Sequence, residues 1–262
     1  MAAKSKSEGG ILETVKTVVY ALLIAGAFRT LLFQPFWIPS ESMKDTLLIG
    51  DFLFVNKMAY GYSRYSCPFA MCPISGRIFA SDPERGDVVV FRHPVNGQDF
   101  IKRLIGLPGD TIQMTDGIVS INGAVVPQTP DGVFEEVMEP QGPMANRPRC
   151  ENGPVGEGGL CTKTRAIETL PSGRTHSVLN IDTNGFGDNT DVFTVPEGRF
   201  FFMGDNRDNS QDSRYSQAAG GVGFVPFEYL IGRADRIMFS AAGQRLFYFW
   251  TWRADRFFKA VE

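Results

Sequence analysis

Ile11–Phe33 reads ILETVKTVVYALLIAGAFRTLLF, and no other stretch constrains the chain as strongly. As a helix it spans roughly 34 Å at about 1.5 Å per residue, enough for a hydrocarbon core of roughly 30 Å. Glu13, Lys16 and Arg29 lie toward its ends, where long side chains reach the interface. Lys4, Lys6 and Lys16 precede or enter it, so the positive-inside tendency puts residues 1–10 in the cytoplasm and everything after Phe33 outside. A cleaved signal peptide would need small residues after the apolar stretch, where Arg29, Phe33, Pro35 and Trp37 stand instead. A buried core helix is the other alternative, since the uninterrupted run Thr17–Phe28 is short. The expectation is an uncleaved transmembrane anchor over 11–33.

Behind it, the chain has the marks of a mainly β domain. The sequence holds 28 Gly, 16 Pro and 22 Phe, which favour strands and turns over a bundle. Predicted strands are 51–57, 87–92, 100–105, a hairpin of 111–114 with 118–121 around Asp116-Gly117, and 230–239. Residues 127–160 are Pro/Gly-rich and read as an irregular surface excursion, followed by a β-rich section over 163–203 and a polar loop at 204–223. The resulting division has a first β core at 34–126, an inserted β-rich/loop region at 127–200 and a second β core at 201–240. An aromatic and basic tail follows at 241–262. Leu246–Trp252 with Arg253, Arg256 and Lys259 suits the headgroup layer of a membrane, and equally a terminal segment packed on the core.

Charge and cysteine content narrow the partners. A net charge of −3 without long Lys/Arg runs argues against nucleic acid. The cysteines form two local pairs, Cys67/Cys72 and Cys150/Cys161, whose spacing fits short disulfide loops better than a four-cysteine zinc site. The Gly-rich segment between Cys150 and Cys161 makes that pair the better candidate. The run Gly204–Arg214 has the acid density of a calcium loop, but Arg207 falls at a ligand position and no frame ends in glutamate. No metal and no cofactor are called for.

The chemistry must come from elsewhere. Only His93 and His176 are present, and no serine sits in a G-x-S-x-G elbow. Ser42 lies just beyond the anchor in Pro39-Ser40-Glu41-Ser42-Met43, and a serine nucleophile needs a positioned base. Lys102 shares a strand face with Phe100 and Leu104, an apolar row in which burial would lower its pKa. Arg103 does not lose its proton and cannot act as a base. Lys57 also follows an apolar alternation, so pattern alone leaves both lysines open. The polar run at 204–214 reads as a self-bonded brace in which Asp212 and Arg214 pair.

These residues resemble the bacterial type I signal peptidases. Ile38–Met43 with Thr46-Leu47 and Gly50-Asp51 is similar to the nucleophile box, and Ile101-Lys102-Arg103 with Gly106–Asp110 to the lysine box. Gly204-Asp205-Asn206 through Ser210, Asp212, Ser213 and Arg214, then Gly223–Pro226 and Gly232-Arg233-Ala234, resemble the late boxes in family order. The resemblance implies a β-rich catalytic domain behind an N-terminal helix. In it, Ser42 would be the nucleophile, Lys102 the general base and Ser40 an oxyanion-hole donor. Ser210 would orient Lys102, and Asp212, Arg214, Asp205 and Asn209 would support the site. It further implies secretory preproteins as substrates, cut after small residues at −3 and −1. Membrane lipids would be the second partner, at a bacterial inner membrane with the catalytic domain on the periplasmic side. Asp45 departs from the proline usual in the nucleophile box, and 127–200 and the tail lie outside the boxes. Two other readings stand beside this one: a self-cleaving Ser/Lys peptidase, and a non-catalytic membrane-tethered β-domain acting as scaffold or chaperone. Oligomeric state, and a bacterial against an organellar membrane, are left open by the sequence.

Overall fold

A computed structural model describes residues 10–243 and 245–262. Lys4, Lys6 and the rest of 1–9 lie outside the described residues. Helix α1 (Gly10–Leu31) has all of its 22 residues out of the protein core and a mean hydropathy of 1.7 over its best window, so it is long and apolar enough to cross a membrane. It ends two residues earlier than the sequence pattern indicated, because Phe33 already pairs with Asn56 as the first residue of a strand.

In chain order the strands are β1 (Phe33–Trp37), β2 (Asp51–Asn56), β3 (Tyr62–Ser63), β4 (Arg77–Ile78), β5 (Val88–Arg92) and β6 (Asp99–Gly106). Then come β7 (Thr111–Thr115), β8 (Ile118–Ile121), β9 (Ala124–Val125), β10 (Gln128–Val137), β11 (Leu160–Thr169) and β12 (Thr175–Asn180). The last are β13 (Phe193–Thr194), β14 (Arg199–Met203), β15 (Val225–Pro226) and β16 (Leu230–Ser240). The main sheet runs β1-β2-β16-β5-β6-β14-β15, flanked by the sheets β13-β7-β8-β9 and β10-β11-β12 and the short pair β3-β4. Neighbouring strands pair antiparallel, so the fold is mainly β behind one apolar helix, as the sequence indicated.

The excursion expected at 127–160 is corrected. Residues 128–137 form a ten-residue strand against β11, with a register shift between Pro130 and Val133, and the irregular part is confined to about 138–159. Composition misled here because Pro130 and Gly132 sit at that irregularity, where neither is asked to continue a regular ladder. The central strand β6 also departs from simple alternation. Ile101 through Gly106 are all buried, because apolar clusters lie on both faces of the sheet. One cluster holds Ile38, Met43, Leu47, Leu53 and Ile101, and thereby pins the β1–β2 connection to the core. Burying a side chain such as Met43 or Leu47 contributes about 1.5–3 kcal/mol.

The C-terminal segment folds back onto β16 rather than trailing away. Ile237 donates to the Lys259 carbonyl at 2.9 Å, and Trp252 sets its ring edge-on against Phe239 at 4.8 Å. Arg256 enters the core and binds Asp51 through Nη2–Oδ2 at 2.6 Å and Nε–Oδ1 at 3.1 Å, while Nη2 also donates to the Thr46 carbonyl at 3.0 Å. Asp51 in turn accepts from the Leu48 N–H at 2.8 Å and the Ser240 hydroxyl at 2.6 Å. The tail thus clamps the turn that follows Ser42. Removing one member of a buried ion pair leaves the other uncompensated, so Arg256→Ala is expected to destabilise the protein by about 3–5 kcal/mol. Denaturant unfolding in detergent measures this, and a loss under about 1 kcal/mol would remove the clamp from the account.

Candidate active site

The β1–β2 connection is held at both ends before it reaches Ser42. Ile38 N–H donates to Asp51 O at 2.9 Å and Gly50 N–H to Ile38 O at 3.0 Å, closing the neck of the loop. Inside it, Lys44 N–H donates to Glu41 O at 3.0 Å and Leu47 N–H to Met43 O at 2.8 Å. Ser42 therefore sits on a tight turn whose flanks are anchored by apolar burial, with its hydroxyl facing a cleft of about 450 Å³. Ser40, Lys102, Ser210 and Tyr215 line the same cleft.

Lys102 reaches Ser42 from β6. Its Nζ lies 2.6 Å from Ser42 Oγ and also donates to the Ile101 carbonyl at 3.0 Å. Burial pushes the amine down from its ordinary 10.5 to about 8, against the opposing pull of Asp212 and Asp205. That pull is weak because both carboxylates are already engaged by arginines. Asp212 accepts from Arg214 Nε and Nη2, both at 2.9 Å, and from the Gly204 N–H at 3.0 Å. Asp205 accepts from Arg103 Nε and Nη2, both at 2.8 Å, and from the Thr46 hydroxyl at 2.5 Å. Bidentate pairing of this kind satisfies each carboxylate and spends its field locally.

Lys57, the other lysine the pattern left open, is also held down at about 8 by burial. It donates instead to the Ser66 carbonyl and lies outside the Ser42 cleft. The histidines are elsewhere too. His93 packs on Phe100 at 4.6 Å between ring centroids and accepts at Nδ1 from the Val95 and Asn96 N–H groups, while His176 lies against Glu168 at 3.3 Å.

The late polar run forms the opposite wall. Asn206 N–H donates to the Ser42 carbonyl at 3.1 Å, and its Nδ2 donates to the Glu41 carbonyl at 3.1 Å. Asn209 Nδ2 donates to Glu41 Oε2 at 2.7 Å, and Glu41 Oε1 accepts from Lys44 at 2.8 Å. Lys44 continues the chain of ion pairs to Glu136 at 2.6 Å, and Glu136 also binds Lys163, which ties the serine turn to β10 and β11. Ser40 Oγ lies 3.4 Å from Ser42 Oγ. The Ser210 hydroxyl lines the cleft beside the Asp212 carboxylate, while among the described residues Lys102 Nζ bonds only Ser42 Oγ and the Ile101 carbonyl, so the bond to Lys102 implied by the resemblance is not made.

Reading the sequence left Glu41, Arg103, Gly204 and Asn206 without roles. Gly204 has a specific reason to be glycine: a Cβ there would lie 2.3 Å from Ser210 Oγ and 2.5 Å from the Ser42 carbonyl. Its adjacency to the acidic run was the available signal. The spacing of Glu41 to Lys44 was the signal for that pair. Arg149 lines the cleft and donates to Asp208 O at 2.7 Å, from a loop that no pattern placed there. Its neighbour Cys150 is joined to Cys161 with Sγ–Sγ 2.06 Å, and Cys67 is joined to Cys72. Among the described residues no cluster of acids, histidines or cysteines is arranged to hold a metal ion.

Comparison with known proteins places this arrangement. The family model described as signal peptidase, peptidase S26, matches residues 11–239. A signal peptidase I of Rickettsia typhi is 40% identical over 245 residues, covering 90% of this chain and 83% of that protein. One from Rickettsia canadensis is 43% identical over 237 residues, covering 86% and 78%. A crystal structure of a signal peptidase I from Enterococcus faecalis is 27% identical and covers 58% of this chain and 97% of that one, with a TM-score of 0.30. The family match and the Rickettsia relatives together carry the assignment: the chain belongs to the signal peptidase family, peptidase S26, the serine peptidases that remove signal peptides.

Proposed function

We propose that the chain is a membrane-anchored endopeptidase that cleaves signal peptides from secretory preproteins through a Ser42–Lys102 dyad. The observation that carries this reading is the 2.6 Å approach of Lys102 Nζ to Ser42 Oγ inside a cleft. With the amine neutral, the Ser42 hydroxyl donates to its lone pair and gives up its proton as Oγ attacks the scissile carbonyl. The resulting ammonium then protonates the leaving amine. A water, deprotonated by the same lysine, releases the acyl-enzyme.

Ser40 and the Ser42 N–H are the proposed donors to the oxyanion. Among the described residues the Ser42 N–H is engaged by no other acceptor, and the Ser40 hydroxyl stands beside Ser42 Oγ. Ser210 is proposed to orient Lys102, since its hydroxyl lines the same cleft and stands between the lysine and the Asp212–Arg214 brace. Asp205, Asn209, Asp212 and Arg214 act as the brace. The family resemblance supplies the preference for small residues at −3 and −1.

In the same proposal α1 crosses a bacterial inner membrane with the N-terminus in the cytoplasm and the cleft on the periplasmic side, and the aromatic tail touches the headgroups. The exposed Phe247, Phe249 and Trp250 support that last placement. The core halves at 34–126 and 201–240, with 127–200 inserted, remain the proposed division. Both halves supply the dyad cleft, Ser42 and Lys102 from the first and Ser210 from the second.

Three outcomes test the mechanism. Ser42→Ala and Lys102→Ala should each abolish preprotein cleavage in detergent while unfolding remains cooperative; activity near wild type in either removes the dyad. Ser40→Ala should lower kcat by about 10–10³-fold, which extends downward the usual loss of about 10²–10³-fold for one oxyanion donor, and an unchanged kcat takes that role away. Because the reactive form of Lys102 is the neutral one, kcat/KM should rise with pH through about 8 and level off above it. A profile flat between pH 6 and 9 contradicts a lysine base.

A further inference from the structure

From the end of β3 to just past β4 the chain makes a short excursion closed by the Cys67–Cys72 bridge, and large apolar side chains along it are exposed to solvent. Phe69 is 88% exposed, Met71 70% and Phe79 83%, values at odds with the cost of leaving large apolar groups in water. Phe69 and Phe79 have φ of 57° and 51°, a region that bulky side chains seldom occupy. An outward-turned aromatic held in such a conformation needs a structure that over-determines it. That structure is present. The Cys67–Cys72 bridge closes the tip, Lys57 Nζ grips the Ser66 carbonyl, and Arg77 donates to the carbonyls of Gly61 and Phe227, both at 2.8 Å.

The position of this loop selects its partner. At its base the Tyr62 hydroxyl donates to the Leu31 carbonyl at 2.6 Å, the last residue of α1, and Lys57 N–H donates to the Leu32 carbonyl at 3.0 Å. The Phe28 ring of α1 continues the contact, 6.0 Å from Phe33 and 6.5 Å from Phe54 between centroids. The aromatic loop is therefore continuous with the end of the apolar helix. Exposed Arg64 and half-buried Tyr65 stand beside it, 5.6 Å apart, the pairing of cation and ring that suits a headgroup layer. A second protein would also cover such a patch, but only a bilayer must already lie at the end of a spanning helix.

We infer that the loop of residues 64–80, stapled by Cys67–Cys72, dips Phe69, Met71 and Phe79 into the acyl region of the leaflet where α1 emerges, as a membrane contact beyond α1 and the aromatic tail. With the helix and the tail alone, the domain would still rock about the line joining them. A third contact fixes its height and tilt, and so the distance of the Ser42 cleft from the lipid surface, where a membrane-held preprotein presents its cleavage site. The inference rests on the reading of α1 as a membrane span.

Spin labels test both in the full chain, because the native cysteines are paired and only an introduced one reacts. Phe79→Cys and, separately, Leu22→Cys are labelled with a nitroxide and reconstituted into vesicles of zwitterionic and anionic phospholipid. Collision with oxygen and with a water-soluble nickel chelate is then read by power saturation. The expected result is high oxygen and low nickel access at both positions. Lipid-like access at 22 with nickel access at 79 overturns the loop contact and leaves the span standing. Nickel access at both positions removes the span and the loop contact together. Shielding of 79 from both reagents assigns the patch to a protein partner or a second copy, and also overturns the inference. As a functional arm, Phe69→Asp with Phe79→Asp should slow cleavage of a membrane-inserted preprotein about tenfold, while changing hydrolysis of a short soluble peptide in detergent by less than about twofold. Equal effects on both substrates would assign the residues to folding.

Discussion

Lys102 is buried without a carboxylate of its own, and the site is organised around that fact. Among the described residues it forms no salt bridge, although two aspartates are close enough to influence it. Each of those aspartates is turned toward an arginine instead, Asp205 to Arg103 and Asp212 to Arg214. If either guanidinium were absent, the freed carboxylate would favour the ammonium form, and Ser42 would face a charged partner unable to take its proton. The arginines thus have two consequences. They make burial of the aspartates tolerable, and they leave desolvation as the dominant influence on the lysine.

The same arrangement explains the dense polar run at 204–214. A loop packed in the interior must satisfy its own backbone groups and those it covers, and here its side chains do so: Asp212 accepts from the Gly204 N–H, Ser213 accepts from the Phe202 N–H of β14, and Asn206 Nδ2 donates to the Glu41 carbonyl. Gly204 lets this loop approach the Ser42 carbonyl closely enough for Asn206 N–H to bond it. Position in space, not composition, decides whether such a segment is a solvated loop or a packed brace. Along this run acids and bases alternate closely enough to pair with one another, and Asp212 and Arg214 do so.

How far the fold could be read in advance followed the range of the forces involved. The apolar helix, the β5 run of valines and the Asp116-Gly117 hairpin are local patterns and were legible. Strand β10 was not, because its pairing with β11 is long-range and its own Pro130 and Gly132 mask the alternation. At the site, the apolar row of Phe100, Lys102 and Leu104 predicted a buried amine, but Lys57 met the same description and proved equally depressed. Chain topology distinguishes them, since β6 carries Lys102 to the serine turn while Lys57 ends at the Ser66 carbonyl. The family boxes carried that long-range information; periodicity could not. Arg149 was illegible in either way, because it reaches the cleft from the irregular loop that Cys150–Cys161 tethers.

Holding a lysine in this state costs stability, and the sign can be worked out. A drop from 10.5 to about 8 corresponds to about 3 kcal/mol of differential stabilisation of the neutral form. Above pH 10.5 the amine is neutral folded or unfolded, and the shift costs nothing. Between 10.5 and 8 the unfolded chain gains a proton that the folded one refuses, so stability declines as pH falls, and below about 8 the full penalty is present. At neutral pH, then, the site is a fixed loss that the rest of the structure must offset. The Asp51–Arg256 clamp, the Glu41–Lys44–Glu136–Lys163 chain and the apolar anchors Ile38, Met43 and Leu47 all converge on the one turn that carries Ser42. Such concentration is what a reactive pair needs. A turn free to relax would let water reach the amine, restore its proton and erase the property that makes the pair reactive.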